Sequence, residues 1–384
     1  GNQLLAQKMN NISSNLYDTL SENPDSKELI LKDNINKKVY NLLPDVLHPN
    51  KARGVYLDNS SKYLTGNISL LDPSQDFLMS FVYTPFNAMP LGSESYLVDK
   101  QYSFRLRIKD TTGNLQLVYS LNGTNWTGAL TLDLKTSYSS QYAKKICNII
   151  LLKKLEGSTY YVYIYTNNVF ISKTALTQNL ANNSNMLYMY TSALAYPITS
   201  KRATLFNYAL SPSEIALLWN CGRPDKAILP DYMKWGSNTE KVTNVEDREF
   251  SSDTGFWNKS AYFTISGGAG HITSAPISAY MFGKSNLLSI GKRYKIKLTI
   301  SNYVGGSIRV FLGNQYTASP NYSANGEYTF SGIADGTTLA FWSSTGSTCT
   351  LDIDNVSLIQ EGAVADYEAE GIVQSLGATA TTTV

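Results

Sequence analysis

Four aromatic side chains, Trp257, Tyr316, Tyr322 and Trp342, are the best candidates for chemistry in this chain, and that chemistry is stacking against a sugar. An aromatic face packs on the apolar C–H face of a pyranose ring, while a Tyr hydroxyl or Trp N–H keeps a polar partner. Tyr316 and Tyr322 stand in a polar loop, Asn314 to Gly326, where a large aromatic has few apolar neighbours to account for it. For Trp257 and Trp342 a place in the hydrophobic core is the reading the residues favour over a ligand contact. A second set, Tyr161, Tyr163 and Tyr165, repeats every two residues, so all three share one face of a strand and Val162 and Ile164 share the other. This stripe could be a sugar platform, but the aromatic side of an ordinary sheet is the reading the residues favour.

Acidic residues offer a second kind of chemistry. Asp352 and Asp354 are two apart in a strand-like run, so both carboxylates point the same way. Hard cations take several oxygens, and paired carboxylates with loop carbonyls can supply them. Glu246, with Asp247 and Glu249, would complete such a set if the chain brings them together. The alternative, slightly preferred, is that Asp352 and Asp354 solvate an outer face while Asn355 makes a turn. His271 follows four small residues, Gly267 to Gly270, and reads as part of a surface turn, with a ligand hydrogen bond as the other option.

The elements that must position these groups are strands. The 384 residues suit two domains, aromatics reach 12% with 27 Tyr, and charged residues are only 16%. Such a composition, rich in Tyr, Ser, Thr, Asn and Gly, suits an all-β protein that meets sugars or proteins through neutral polar surfaces. A net charge of +2 argues against nucleic acid as a partner. The three cysteines, Cys147, Cys221 and Cys349, lie far apart with no C-x-x-C pair, which suits buried thiols rather than a disulfide framework or zinc site. No apolar run suffices to span a bilayer, so no membrane insertion is expected. The chain opens at Gly1 without a basic-then-apolar signal, leaving secretion and cutting from a longer chain open.

Residues 1–45 read as an arm that packs on a neighbouring subunit or, equally, as a local lid on its own domain. Leu4, Leu5, Met9, Ile12, Leu16 and Leu20 recur at near-helical spacing, and two short extended pieces follow at Lys27 to Lys32 and Lys38 to Leu43. From Gly54 the period switches to two, as in Phe77, Met79, Phe81 and Tyr83, then Phe104, Leu106 and Ile108. Asn122-Gly123 marks a hairpin with Trp126 as its plug. Ser211, Pro212 and Glu214 then start a short helix running to about Asn220. Residues 231–243 read as a linker. A second sandwich, residues 244–362, alternates cleanly through Tyr294, Ile296, Leu298 and Ile300, and a tail, 363–384, ends in Ala-Thr alternation.

Two phrases carry family resemblance. Asn207-Tyr208-Ala209-Leu210-Ser211 with Glu214-Ile215, closing on Asn220-Cys221-Gly222-Arg223-Pro224, resembles the end of laminin-G-like, concanavalin A-type lectin domains. The resemblance implies a two-sheet jelly roll over residues 46–230. Gly255-Phe256-Trp257, Gly291-Lys292-Arg293-Tyr294 and Asp352-Ile353-Asp354-Asn355-Val356 resemble jelly-roll carbohydrate-binding modules. That second resemblance implies ligand on a concave face or at the loop ends, and a structural calcium near the first strand and the Asp pair. The tandem order, with Glu361-Gly362 to Gly371-Ile372 behind it, is similar to tailed-phage fibre proteins.

Catalysis has little support. Glycosidic hydrolysis needs two carboxylates flanking the bond, and an E-x-D-x-x-E strand is absent. Asp366, Glu368 and Glu370 are the best acidic cluster, and solvated charge beyond both sandwiches accounts for them most simply. With only His48 and His271, no Ser/His/Asp or Cys/His set is credible. The expectation is therefore a non-enzymatic phage virion protein, a fibre, appendage or capsid decoration, that displays glycan-binding modules at the virion surface. Its partners would be a bacterial surface glycan and other virion proteins, with a homotrimer expected by analogy with phage fibres. A bacterial secreted or surface glycan-binding protein, the non-catalytic part of a glycosidase, and a purely structural virion protein are the alternatives.

Overall fold

The computed structural model describes residues 29–33, 38–42, 46–47, 55–57, 64–66, 71–85, 94–109, 114–120, 122–132, 147–185, 187–191, 198–314, 316–344, 346–370, 374–375 and 381–382. The chain is all-β and divides into two compact units. The first comprises residues 1–228 and 364–384, and the second comprises residues 229–363. The helical pattern from Leu4 to Leu20 lies outside the described residues.

In the first unit the principal sheet runs, in spatial order, through Val169–Ala175, Thr159–Thr166, Cys147–Glu156, Phe77–Pro85, Ile198–Phe206, Ala363–Glu370, Leu29–Asp33 and Lys38–Leu42. A six-stranded sheet, ordered Gly128–Leu132, Asn114–Tyr119, Phe104–Lys109, Glu94–Lys100, Leu187–Thr191 and Leu64–Gly66, is the other layer. Phe77 of one sheet stacks on Phe104 of the other, with centroids 5.4 Å apart. The alternation at Phe77–Pro85 predicts a half-buried strand, yet Leu78, Ser80 and Val82 are buried as well. This strand is central, bonded on one edge to Cys147–Glu156 and on the other to Ile198–Phe206, and both its faces are covered.

The hairpin at Asn122 forms as its sequence requires. Asn122 Oδ1 accepts the N–H groups of Thr124 and Asn125, both at 3.0 Å, and Gly123 takes the left-handed φ of 75° that the turn demands. Trp126 is held against Tyr102 and beneath the guanidinium of Arg105. The predicted helix is Pro212–Trp219, with the Ser211/Glu214 capping box made and Asn220 closing it in the left-handed conformation.

Segments near both chain ends enter the principal sheet. The arm's extended pieces, Leu29–Asp33 and Lys38–Leu42, are a hairpin within the principal sheet. The strand Ala363–Glu370, read from sequence as tail, pairs with Leu29–Asp33 in register Ile30 with Glu370. Asp366 is correspondingly buried rather than solvated. It accepts two bonds from Arg202, 2.7 Å from Nε and 2.6 Å from the terminal amino group, and a third from Thr204 at 2.9 Å. A guanidinium at 6% side-chain exposure needs an ionised partner, and a strand from far along the sequence brings it.

The second unit is a sandwich of a four-stranded and a five-stranded sheet. The first is ordered Asn258–Lys259, Tyr280–Lys284, Leu339–Ser343 and Ile308–Leu312. The second is ordered Phe263–Ser266, Ala269–Ala275, Cys349–Glu361, Arg293–Gly305 and Gly326–Ile333. Period-two alternation turns Tyr294, Ile296, Leu298 and Ile300 inward against Ile308, Val310, Leu312 and Phe341. Phe282 lies between Phe263 and Phe341, stacked at 4.0 and 4.2 Å, and ties the two sheets together. The buried Cys349 thiol is pushed up to about 11 by desolvation, as suits an inert core cysteine.

Candidate functional site: an aromatic cleft on the second unit

The outer face of the four-stranded sheet is made by the residues that alternate with its core. Ile308, Val310 and Leu312 point inward, so Arg309 and Phe311 face outward. Leu339 and Phe341 do the same for Ala340 and Trp342. Register then sets these residues side by side: Tyr280 opposite Trp342, Trp342 opposite Arg309, and Ala340 opposite Phe311. The result is a row across three strands, Tyr280, Trp342 and Arg309. Tyr280 meets Trp342 edge-on at 5.6 Å and Phe311 meets it at 6.3 Å.

This face floors a cleft of about 830 Å³, within the range of small-ligand sites. Its rim is polar, with Asn314, Ser278 and Ser344, and Tyr316 stands on it almost fully exposed. The loop carrying Asn314 and Tyr316 is held from behind by one carboxylate. Asp335 accepts the N–H groups of Asn314 at 2.5 Å, Tyr316 at 2.9 Å and Thr317 at 3.2 Å. Gly313 enters that loop at φ 113°, where a Cβ would collide with Asp335 and Gly336, so only glycine lets the loop lie against its anchor. Tyr316, exposed on that loop, and Trp342, half-buried on its strand, both line the cleft.

The aromatics singled out in the sequence separate in the structure. Trp342 and Tyr316 line the cleft together. Trp257 is a core residue at 3% exposure, its indole N–H donated to the Asp247 carbonyl at 2.9 Å and its ring among Phe250, Phe256 and Phe282. It has no free face for a sugar. Tyr322, expected in an open loop, is buried and stacks on Tyr328 at 4.3 Å, because its backbone pairs with Ile308 and draws the loop onto the sheet edge. Arg309, Phe311 and Tyr280 escaped the sequence reading. Their signal was present: an Arg and a Phe alternating with Ile308, Val310 and Leu312 must occupy the face opposite the core.

The tyrosine stripe of the first unit does share one face, but its neighbours occupy it. Lys173 Nζ lies 4.1 Å from the Tyr161 ring and 5.3 Å from that of Tyr163, and Phe170 packs edge-on to Tyr165 at 5.6 Å. Tyr163 donates its hydroxyl to Glu156, which also binds Lys173 at 2.6 Å. These two bonds hold the Glu156 carboxyl down at about 2. Cross-strand packing, rather than an open platform, describes Tyr161, Tyr163 and Tyr165.

Each carboxylate expected to hold calcium has at least one partner within the chain. Asp352 uses one oxygen on His271 Nδ1 at 2.7 Å and the other on Asn302 at 2.6 Å. Asp354 accepts the N–H of Asn355, and Glu246 accepts the Ser252 hydroxyl at 2.8 Å. Among the described residues no group of three or more His, Cys, Asp or Glu side chains is disposed to hold a metal. His271, in the strand Ala269–Ala275, has the Ser266 carbonyl 3.0 Å from its other nitrogen. Its pKa is raised, chiefly by the Asp352 hydrogen bond.

No protein-family model matches the chain, and a search of curated proteins finds no match. Among solved structures it is similar to the binding domain of botulinum neurotoxin serotype D, 13% identical over 90% of this chain and 97% of that one, with a TM-score of 0.36. It is also similar to the binding domain of Paraclostridial Mosquitocidal Protein 1, 15% identical over 76% of this chain, with a TM-score of 0.32; the chain spans 54% of that domain. CBM40 of the Ruminococcus gnavus IT-sialidase matches 37% of this chain and 81% of its own at 14% identity and a TM-score of 0.28. These likenesses are distant, and the cleft has to be read from its own residues.

Proposed function

We propose that the second unit is a glycan-binding module whose cleft lays a sugar ring on Trp342, and that the chain binds without cleaving. The observation that carries this reading is the row of Tyr280 and Trp342 with Phe311 beside it, on a solvent-facing sheet under a polar rim. Core aromatics need no such exposure. Stacking supplies affinity through the apolar C–H face, and Asn314 and the rim serines supply hydrogen bonds to hydroxyls. Among the described residues the lining holds neither Asp nor Glu, and glycosidic hydrolysis calls for a carboxylate pair.

The phrases shared with concanavalin A-type domains, carbohydrate-binding modules and phage fibres support a setting on a virion surface, facing a bacterial polysaccharide. In that setting each cleft binds weakly, and copies in a homo-oligomer such as a trimer raise the effective concentration. Among the described residues no helix is long and apolar enough to cross a membrane. The test is retention of the purified chain on immobilised bacterial surface polysaccharides, with released oligosaccharide monitored in parallel. Retention lost in Trp342→Ala, with no product, is the expected result. Retention unaffected by that substitution would move the site elsewhere, and released product would overturn the non-catalytic reading.

A further inference from the structure

The cleft carries one sign of charge. Among the described residues Arg309 is the only ionised residue on its lining. The guanidinium lies 5.5 Å from the Phe311 ring centroid, and its Nε–H is donated to the Ser319 carbonyl at 3.0 Å, so backbone and ring fix its plane. Among the described residues its two terminal amino groups have no acceptor, and neither is sealed from solvent. Asp335, the carboxylate that anchors the framing loop, already spends both oxygens on the N–H groups of Asn314, Tyr316 and Thr317. A cation held in place, half-buried and unpaired in an aromatic cleft, attracts an anion. A guanidinium held by its Nε still presents its two amino groups as a planar pair, which matches the two oxygens of a carboxylate.

Register gives that anion its position. Arg309 is directly across from Trp342 on the neighbouring strand, so the two side chains are adjacent on the cleft floor. A ring lying on Trp342 places a ring-borne carboxylate toward Arg309. We infer that the ligand is an acidic glycan, a polysaccharide of carboxylated sugars, whose carboxylate pairs with the terminal amino groups of Arg309 while its ring stacks on Trp342. This rests on the glycan-binding reading of the same cleft. It narrows the substrate class from sugars in general to uronic-acid-like or sialic-acid-like polymers.

The experiment compares a panel of carboxylated polysaccharides (polygalacturonate, alginate, hyaluronate, polysialic acid) with their carboxyl-reduced counterparts, neutral dextran and dextran sulfate. Each is run by affinity electrophoresis against the full chain and its Arg309→Gln, Arg309→Lys and Trp342→Ala variants, with thermal unfolding to confirm folding. The expected result is that at least one carboxylated polymer retards the protein. Its reduced form and Arg309→Gln should each weaken binding roughly 10- to 100-fold, the scale of a lost charge-assisted hydrogen bond. Arg309→Lys should keep part of the affinity, and serves alone if the Gln variant does not fold. Equal binding of reduced and carboxylated forms, with Arg309→Gln unchanged, overturns the acidic-ligand inference and leaves the glycan-binding reading standing. Retention by dextran sulfate and carboxylated polymers alike, unmoved by Trp342→Ala, marks non-specific attraction and also overturns it. No retention by any polymer, acidic or neutral, removes both readings.

Discussion

Two tryptophans of similar sequence context have opposite roles, and the difference is the face each occupies. Trp257 is enclosed by aromatic rings in the core, so Trp257→Ala should cost the second unit about 3–5 kcal/mol, read as a fall in its denaturation midpoint. Trp342 faces the cleft, and its loss should spare the fold. The sequence could not separate them, because a large aromatic in a strand looks the same from either side until its partners are known. Tyr316 was legible as exposed, since its loop is polar; Tyr322 was not, because only the backbone pairing with Ile308 reveals that its loop folds down. His271 offers a titration test. Its folded pKa lies above the ordinary value near 6.5, so the stabilisation from Asp352 is complete below that pH and is lost as pH rises through the raised value. The melting temperature should fall across that window by no more than about 4 °C, given how exposed the pair is, and His271→Gln should flatten the fall.

At the scale of elements, local chemistry was readable wherever a single motif sufficed. The capping box is made as the sequence implies, with Glu214 Oε2 accepting both the Ser211 N–H and its hydroxyl at 2.8 Å. Ser211→Ala should therefore destabilise the first unit by about 1 kcal/mol, measurable by chemical denaturation. Alternation located the strands and their core sides, but it did not announce the site. Arg309 and Phe311 went unread although alternation puts them off the core; that Tyr280 and Trp342 would join them needed the strand order, which places Leu339–Ser343 between Tyr280–Lys284 and Ile308–Leu312. Strand order depends on contacts far apart in sequence, and no local pattern encodes it.

The whole chain shows the same limit at greater range. Residues read as an arm and a tail both enter the principal sheet of the first unit, and the second unit is inserted between Ile228 and Val364. The acidic run at Asp366 gave no hint of its partner, because Arg202 is 164 residues away. Asp366→Ala would leave a buried guanidinium without its carboxylate. A loss of about 3–5 kcal/mol is expected in the unfolding of the first unit, with the second unit's transition unchanged by calorimetry. Equal shifts in both transitions would show that the two units do not unfold independently.

The most direct test of the central claim is quantitative binding of the full chain and Trp342→Ala to a bacterial surface polysaccharide that retains the wild type, with unfolding followed on the same samples. The account predicts at least a tenfold loss of affinity, about 1.4 kcal/mol, at an unchanged melting temperature and with no released sugar. Undiminished binding by a folded Trp342→Ala variant would contradict it.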